Sequence, residues 1–239
     1  MVFLGVSSGE KSRFYIAKYS PIVHNMENIV PDPYTPPLRF NTVQKNLYRG
    51  AYPREVNLTF LKTLQLKTII SLTPNPITHE SDPILYEFAQ ENNITLIHVE
   101  CAQSGKGKKR GVPMGYSNVL NALNFMIHNE YTPVYVHCLN GGQVTSLLIA
   151  CLRKLQFWSS ISIFNEFINF TTNITVNDRS FVEGFKGEIN INTEDKADWL
   201  WVGMSKGVIG NHPRIRVTET TSTTSNSPVE SSRMQIMDC

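Results

Sequence analysis

In the stretch Val134-Tyr-Val-His-Cys-Leu-Asn-Gly-Gly-Gln-Val-Thr-Ser146, an apolar strand delivers His137-Cys138 into a loop of small residues that opens a helix. A strand, a tight glycine-containing loop and a helix N-terminus make an anion site. The loop N–H groups point inward, the helix end adds positive potential, and together they hold three oxygens of a phosphate. Glycines at 141 and 142 let the backbone approach a ligand closely. The same donors would stabilise a thiolate on Cys138 at the base of the loop, and Thr145 is placed to hydrogen-bond the sulfur.

Outward from this loop, β-like and helical patterns alternate. Strand character is predicted around Val43 and Leu47 and for Lys67–Leu72, Ile94–Val99 and Pro133–His137. Helical spacing is predicted for 58–64 behind Asn57 as a cap, for 83–91 and 115–128, and for an apolar helix running on from Ser146 to Leu155. Further helices are expected over 159–170 and 178–186, and Arg49-Gly-Ala-Tyr-Pro53 reads as a turn. Such alternation calls for an α/β fold, a central, mostly parallel sheet with helices on both faces, whose ligand site lies beyond the carboxyl ends of the strands.

The motif His137-Cys138, with Gly141 and Thr145 at the matching places, resembles the signature loop of the cysteine-dependent tyrosine and dual-specificity phosphatases. Further stretches resemble the plant and fungal atypical dual-specificity phosphatases: Asn46–Pro53, Ile69–Pro74, Cys151–Trp158 and Ser162–Glu166. Within that group the chain is most similar to the fungal oxidant-induced cell-cycle arrest proteins. The resemblance implies that Cys138 is the nucleophile and that the backbone of Leu139, Asn140, Gly141, Gly142, Gln143, Val144 and Thr145 binds the phosphoryl group.

Two departures stand against this. The family's signature arginine has no counterpart, because Val144 occupies its place, and a valine offers neither charge nor paired N–H donors. The general-acid aspartate is also missing from Val99-Glu-Cys-Ala-Gln-Ser-Gly105, where Glu100 is the nearby carboxylate that could substitute. The expectation is therefore a phosphate-binding pseudophosphatase with little or no turnover. The alternative is a weakly active phosphatase on phosphotyrosine or inositol pyrophosphates. The loop after Glu100 also carries Lys106, Lys108, Lys109 and Arg110, usually a solvated surface but here placed to contact a polyanion such as an inositol pyrophosphate.

The chain's 239 residues are 41% hydrophobic and 18% charged, which suits one domain with tails; the net charge of +2 decides nothing about partners, and no nucleic-acid partner is expected. The expected division is an N-terminal extension over 1–36, a phosphatase-like domain over 37–200, and a disordered Ser/Thr-rich tail over 201–239. Neither a spanning helix nor a secretory signal is evident, so the expected setting is cytoplasmic, away from membranes. Four irregularly spaced cysteines argue for free thiols, with no metal and no cofactor. Cys101, in the loop of the missing acid, is a candidate disulfide partner for Cys138. Expected partners are a phosphorylated ligand and a complex with related phosphatase-like proteins.

Overall fold

Five strands form the central sheet of the computed structural model, which describes residues 34–102, 111–192 and 194–220. These residues belong to one compact unit beginning at Asp32. The strands are β1 (Asn41–Gln44), β2 (Leu47–Ala51), β3 (Thr68–Thr73), β4 (Thr95–Glu100) and β5 (Val134–Cys138), in the order β1-β2-β5-β3-β4. Only β1 runs antiparallel to its neighbour; β2, β5, β3 and β4 are mutually parallel. This is the mostly parallel sheet that the alternating pattern predicts.

β5 lies at the centre and is buried along its whole length. Its period of two assigns its residues to different cores. Val134, Val136 and Cys138 face the larger core, built with α3 (Tyr116–Met126) and α4 (Gln143–Leu155). Tyr135 faces the smaller one, closed by α1 (Glu55–Thr63) and α2 (Pro83–Glu91) through Leu61, Leu85 and Phe88. α4 is buried at every position except Lys154, which explains why its sequence is apolar on all sides.

Several sequence expectations change in detail. Arg49-Gly-Ala51 is not a turn but the end of β2, in register with Val136, His137 and Cys138. Asn57 is not the helix cap: α1 starts two residues earlier, and Asn57 accepts a hydrogen bond from the Arg54 N–H at 2.9 Å. Arg153 on α4 is 3% exposed despite its charge. Its Nε and Nη2 donate to both carboxylate oxygens of Glu166 on α5 (Ser160–Ile168), at 2.7 and 2.8 Å. Its Nη2 also donates to the Val43 carbonyl at 3.0 Å, so a single guanidinium ties β1, α4 and α5 together.

Residues 201–220, expected to belong to a tail, are part of the fold. After α6 (Val176–Gly184), the strand β6 (Gly187–Asn192) pairs in parallel with β7 (Ile215–Thr220), and the short α7 (Lys206–Gly210) lies between them. Ile189, Ile191, Ile209 and Ile215 are buried in the larger core, so burial of apolar surface holds residues 201–220 in the fold. No helix among the described residues is long and apolar enough to cross a membrane.

Candidate phosphate-binding site

The loop between β5 and α4 borders a cleft of about 380 Å³ at the carboxyl end of the sheet. Cys138, Leu139, Asn140, Gly142, Gln143 and Val144 form its floor and one wall; Leu72, Pro74 and Ala102 form another. Phe170, Thr171 and Thr172, from the chain after α5, and the half-buried Arg39 also line it. Cys138 is 2% exposed, so its sulfur sits at the bottom of the cleft.

The loop is shaped by two arginines from distant parts of the chain. Arg49, at the β2 end and 1% exposed, donates from Nη2 to the Gly141 carbonyl at 3.0 Å and to Ser146 Oγ at 2.8 Å. In a planar trans peptide the carbonyl and the following N–H point in opposite directions. Drawing the Gly141 carbonyl down toward Arg49 therefore turns the Gly142 N–H up into the loop. Arg39 also holds the loop, its Nη1 donating to the Asn140 carbonyl at 2.7 Å. The Arg49 guanidinium packs 3.7 Å from the Phe170 ring centroid, and its Nε and Nη1 have no hydrogen-bond partner in the structure. Burial lowers its pKa to about 10, which leaves it a cation at neutral pH.

One expected phosphate donor is already engaged. The Gly142 N–H donates to Asn140 Oδ1 at 2.9 Å, and the same oxygen lies 3.8 Å from Cys138 Sγ. A side-chain oxygen thus sits over the thiol on a loop amide, where an oxygen of a bound anion would be held. Gln143 is turned toward α6 by a hydrogen bond from Nε2 to Asp178 Oδ1. Leu139 is 57% exposed at the rim. The bond expected from Thr145 to the sulfur is not made: its hydroxyl is buried without a hydrogen-bond partner. Gly141 sits at a φ of +66°, but the close approach it permits is to the β2 backbone rather than to a ligand.

Val144 lines the cleft and is 8% exposed, so the position of the missing arginine is filled by packed aliphatic surface. Glu100 is exposed at the end of the edge strand β4 and does not line the cleft; Ala102 does. Lys106, Lys108, Lys109 and Arg110 lie outside the described residues. Cys101 and Cys138 are both free thiols, and burial pushes Cys101 up to about 12. Among the described residues, no group of three or more His, Cys, Asp or Glu is placed to hold a metal ion.

His137 points away from the cleft, its Nε2 2.8 Å from Ser71 Oγ and its ring between Tyr52 and Tyr135. Burial lowers its pKa to about 3, so it is neutral and structural at physiological pH. Below the ordinary value of 6.5 the unfolded chain takes up a proton that the folded chain refuses. Stability from this group is thus complete above about pH 6.5 and falls with pH from there toward 3, by about 1.4 kcal/mol per unit. Urea denaturation at pH 7, 6, 5 and 4 should show that slope, and His137→Gln should flatten it; an unchanged slope in the variant would assign the proton elsewhere.

Sequence reasoning missed Arg39, Arg49 and the Phe170–Thr172 wall. The signal for Arg49 was present in Asn46-Leu-Tyr-Arg-Gly-Ala-Tyr-Pro53, a motif of the resemblance whose arginine has no local purpose in a turn.

A parallel sheet that presents a buried cysteine beneath an anion loop at a helix N-terminus defines the cysteine-dependent phosphatase class of folds. The chain belongs to the tyrosine phosphatase family, whose sequence model matches residues 34–204. It is 44% identical to "Putative tyrosine-protein phosphatase OCA6" of Saccharomyces cerevisiae over 178 residues, 70% of this chain and 79% of that protein. It is 35% identical to the inositol diphosphatase DSP3 of Arabidopsis thaliana, over 64% of this chain and 73% of that one. Among solved structures, the catalytic domain of the Saccharomyces cerevisiae diphosphoinositol phosphatase SIW14, in complex with citrate, superposes with a TM-score of 0.56. That match has 31% identity and covers 64% of this chain and 88% of that one.

Proposed function

We propose that this member of the family binds a phosphorylated ligand in the cleft above Cys138 and turns it over little or not at all. The observation that carries the reading is the cleft itself, which keeps the thiol and the anion loop while the signature arginine is replaced by buried Val144. No carboxylate is among the described residues that line it. A transition-state arginine contributes about 10³-fold or more to phosphoryl transfer, and a positioned acid about 10²- to 10⁴-fold. Losing both removes most of what the family's chemistry supplies.

Relatives named as inositol diphosphatases make an inositol pyrophosphate the preferred ligand class, with phosphotyrosine as the second. An anion entering the loop would displace Asn140 Oδ1 and take over the Gly142 N–H. The cytoplasmic setting and association with related phosphatase-like proteins belong to the same reading. A second reading, weak activity, is favoured by the retention of Cys138 at the cleft floor. In it the thiolate attacks phosphorus, the S–P bond forms as the bond to the leaving oxygen breaks, and water then releases phosphate and restores the thiol.

Calorimetry of the purified chain with an inositol pyrophosphate and with phosphotyrosine, alongside phosphate-release assays, tests both readings. Binding without turnover is the expected result, and turnover at the rate of an intact phosphatase would overturn it. Any residual turnover should vanish in Cys138→Ser. Val144→Arg is expected to raise phosphate affinity about tenfold, since a charge-assisted pair contributes about 1.5–3 kcal/mol, while raising turnover only slightly. Equal affinity in that variant would mean that position 144 does not face the anion.

A further inference from the structure

We propose that Arg39 is the ligand-binding cation of the cleft, supplying from the rim the charge that position 144 no longer supplies from the helix. The inference rests on the phosphate-binding reading above and identifies the residue that replaces the lost arginine. Among the described residues that line the cleft, Arg39 is the one charged side chain. An anion lowered onto the loop meets Cys138, small polar groups, apolar surface and this guanidinium.

Arg49 lies within one of the recognised motifs but is badly placed to touch a ligand. It is 1% exposed, does not line the cleft, and is separated from it by the Phe170 ring and by the loop carbonyl it holds. Arg49 acts through the loop; Arg39 lies on the cleft surface.

The local backbone fixes where Arg39 reaches. Its φ of +56° lies in the left-handed region, which a side-chain-bearing residue adopts only where its surroundings impose it. That conformation is imposed from both sides. Leu38 accepts a hydrogen bond from the Ala51 N–H at 2.8 Å, and the Phe40 ring packs edge-on against Phe60 and beside Tyr48 and Tyr135. With its neighbours anchored, the side chain is directed across the loop, where Nη1 meets the Asn140 carbonyl. A guanidinium carries five N–H donors in a planar fork. Tethering by one nitrogen pre-orients the fork, so little side-chain entropy remains to be lost when a phosphate oxygen binds.

Calorimetry and thermal shift with inorganic phosphate and with pyrophosphate, on the full chain, test the assignment. Arg39→Gln keeps a donor for the Asn140 carbonyl but removes the charge; it should weaken binding of both anions roughly ten- to a hundredfold and lessen the salt dependence. Arg39→Lys should recover part of the loss, and Lys45→Gln, which removes an exposed cation paired with Asp198, should change nothing. Melting temperatures without anion check the fold, and Arg39→Ala gives the same comparison if Arg39→Gln melts early. Wild-type affinity in Arg39→Gln, or Arg39→Lys no better than Arg39→Gln, overturns the role of Arg39 and leaves the phosphate site standing. If the unaltered chain binds neither anion, the phosphate-binding reading fails and the assignment falls with it.

Discussion

Gly141→Ala is expected to destabilise the protein by about 3 kcal/mol or more and to abolish anion binding. Two costs add. The residue sits at a φ of +66°, where any side chain costs about 1–2 kcal/mol. A Cβ there would lie 2.6 Å from the Gly50 carbonyl carbon and 2.7 Å from the Ala51 nitrogen. Both are backbone atoms of β2, paired with the central strand, so they cannot retreat without breaking the sheet; overpacking of this kind costs about 1–3 kcal/mol. Gly142→Ala provides the contrast. Its Cβ would meet Asn140 Oδ1 at 2.9 Å, the far end of a side chain that can swing away. Urea denaturation should show a small loss for Gly142→Ala and a large one for Gly141→Ala; equal losses would mean that the loop is not wedged against β2 as described.

Arg49→Met should separate stability from binding. Two hydrogen bonds from a charged donor, to the Gly141 carbonyl and Ser146 Oγ, are lost, at about 1.5–3 kcal/mol each. Against this, the variant no longer buries a cation. Lowering the Arg49 pKa from 12.5 to about 10 corresponds to a penalty on the charged form of about 3 kcal/mol. The terms oppose, and a net loss of about 0–3 kcal/mol is expected, smaller than the lost bonds alone would give. Phosphate affinity, by contrast, should fall at least tenfold, because the Gly141–Gly142 peptide is free to rotate its N–H out of the loop. Unchanged affinity in calorimetry would show that Arg49 does not set that peptide.

The parts of the fold that were legible in the sequence are those coded locally. β3, β4 and β5 are short β-branched or apolar runs, α2 has Asp82 and Pro83 at its start, and α4 is apolar on every side because it is buried on every side. The loop after Cys138 was equally plain, since its histidine, glycines and threonine fall within a few positions. What shapes that loop was not plain. Arg49 and Arg39 lie about a hundred residues upstream and reach it only because β2 pairs with β5, a register that no local pattern encodes. Thr145 failed for a similar reason: spacing places it near the sulfur, but the rotamer follows from packing around a buried helix end. β6 and β7 do carry a signal, the alternation of Ile189 and Ile191 and of Ile215 and Val217. That signal is short and runs into a polar Thr/Ser tract.

The parallel pairing of β6 with β7 bears on where this protein can be cut. Likeness to the family stops at residue 204, and a fragment ended there would retain one strand while discarding the other. Its last strand would offer a bare row of amide and carbonyl groups and lose the cover of Ile215 over the interior, an invitation to stick to a second copy. The smallest piece able to stand by itself is therefore longer than the piece recognisable by descent.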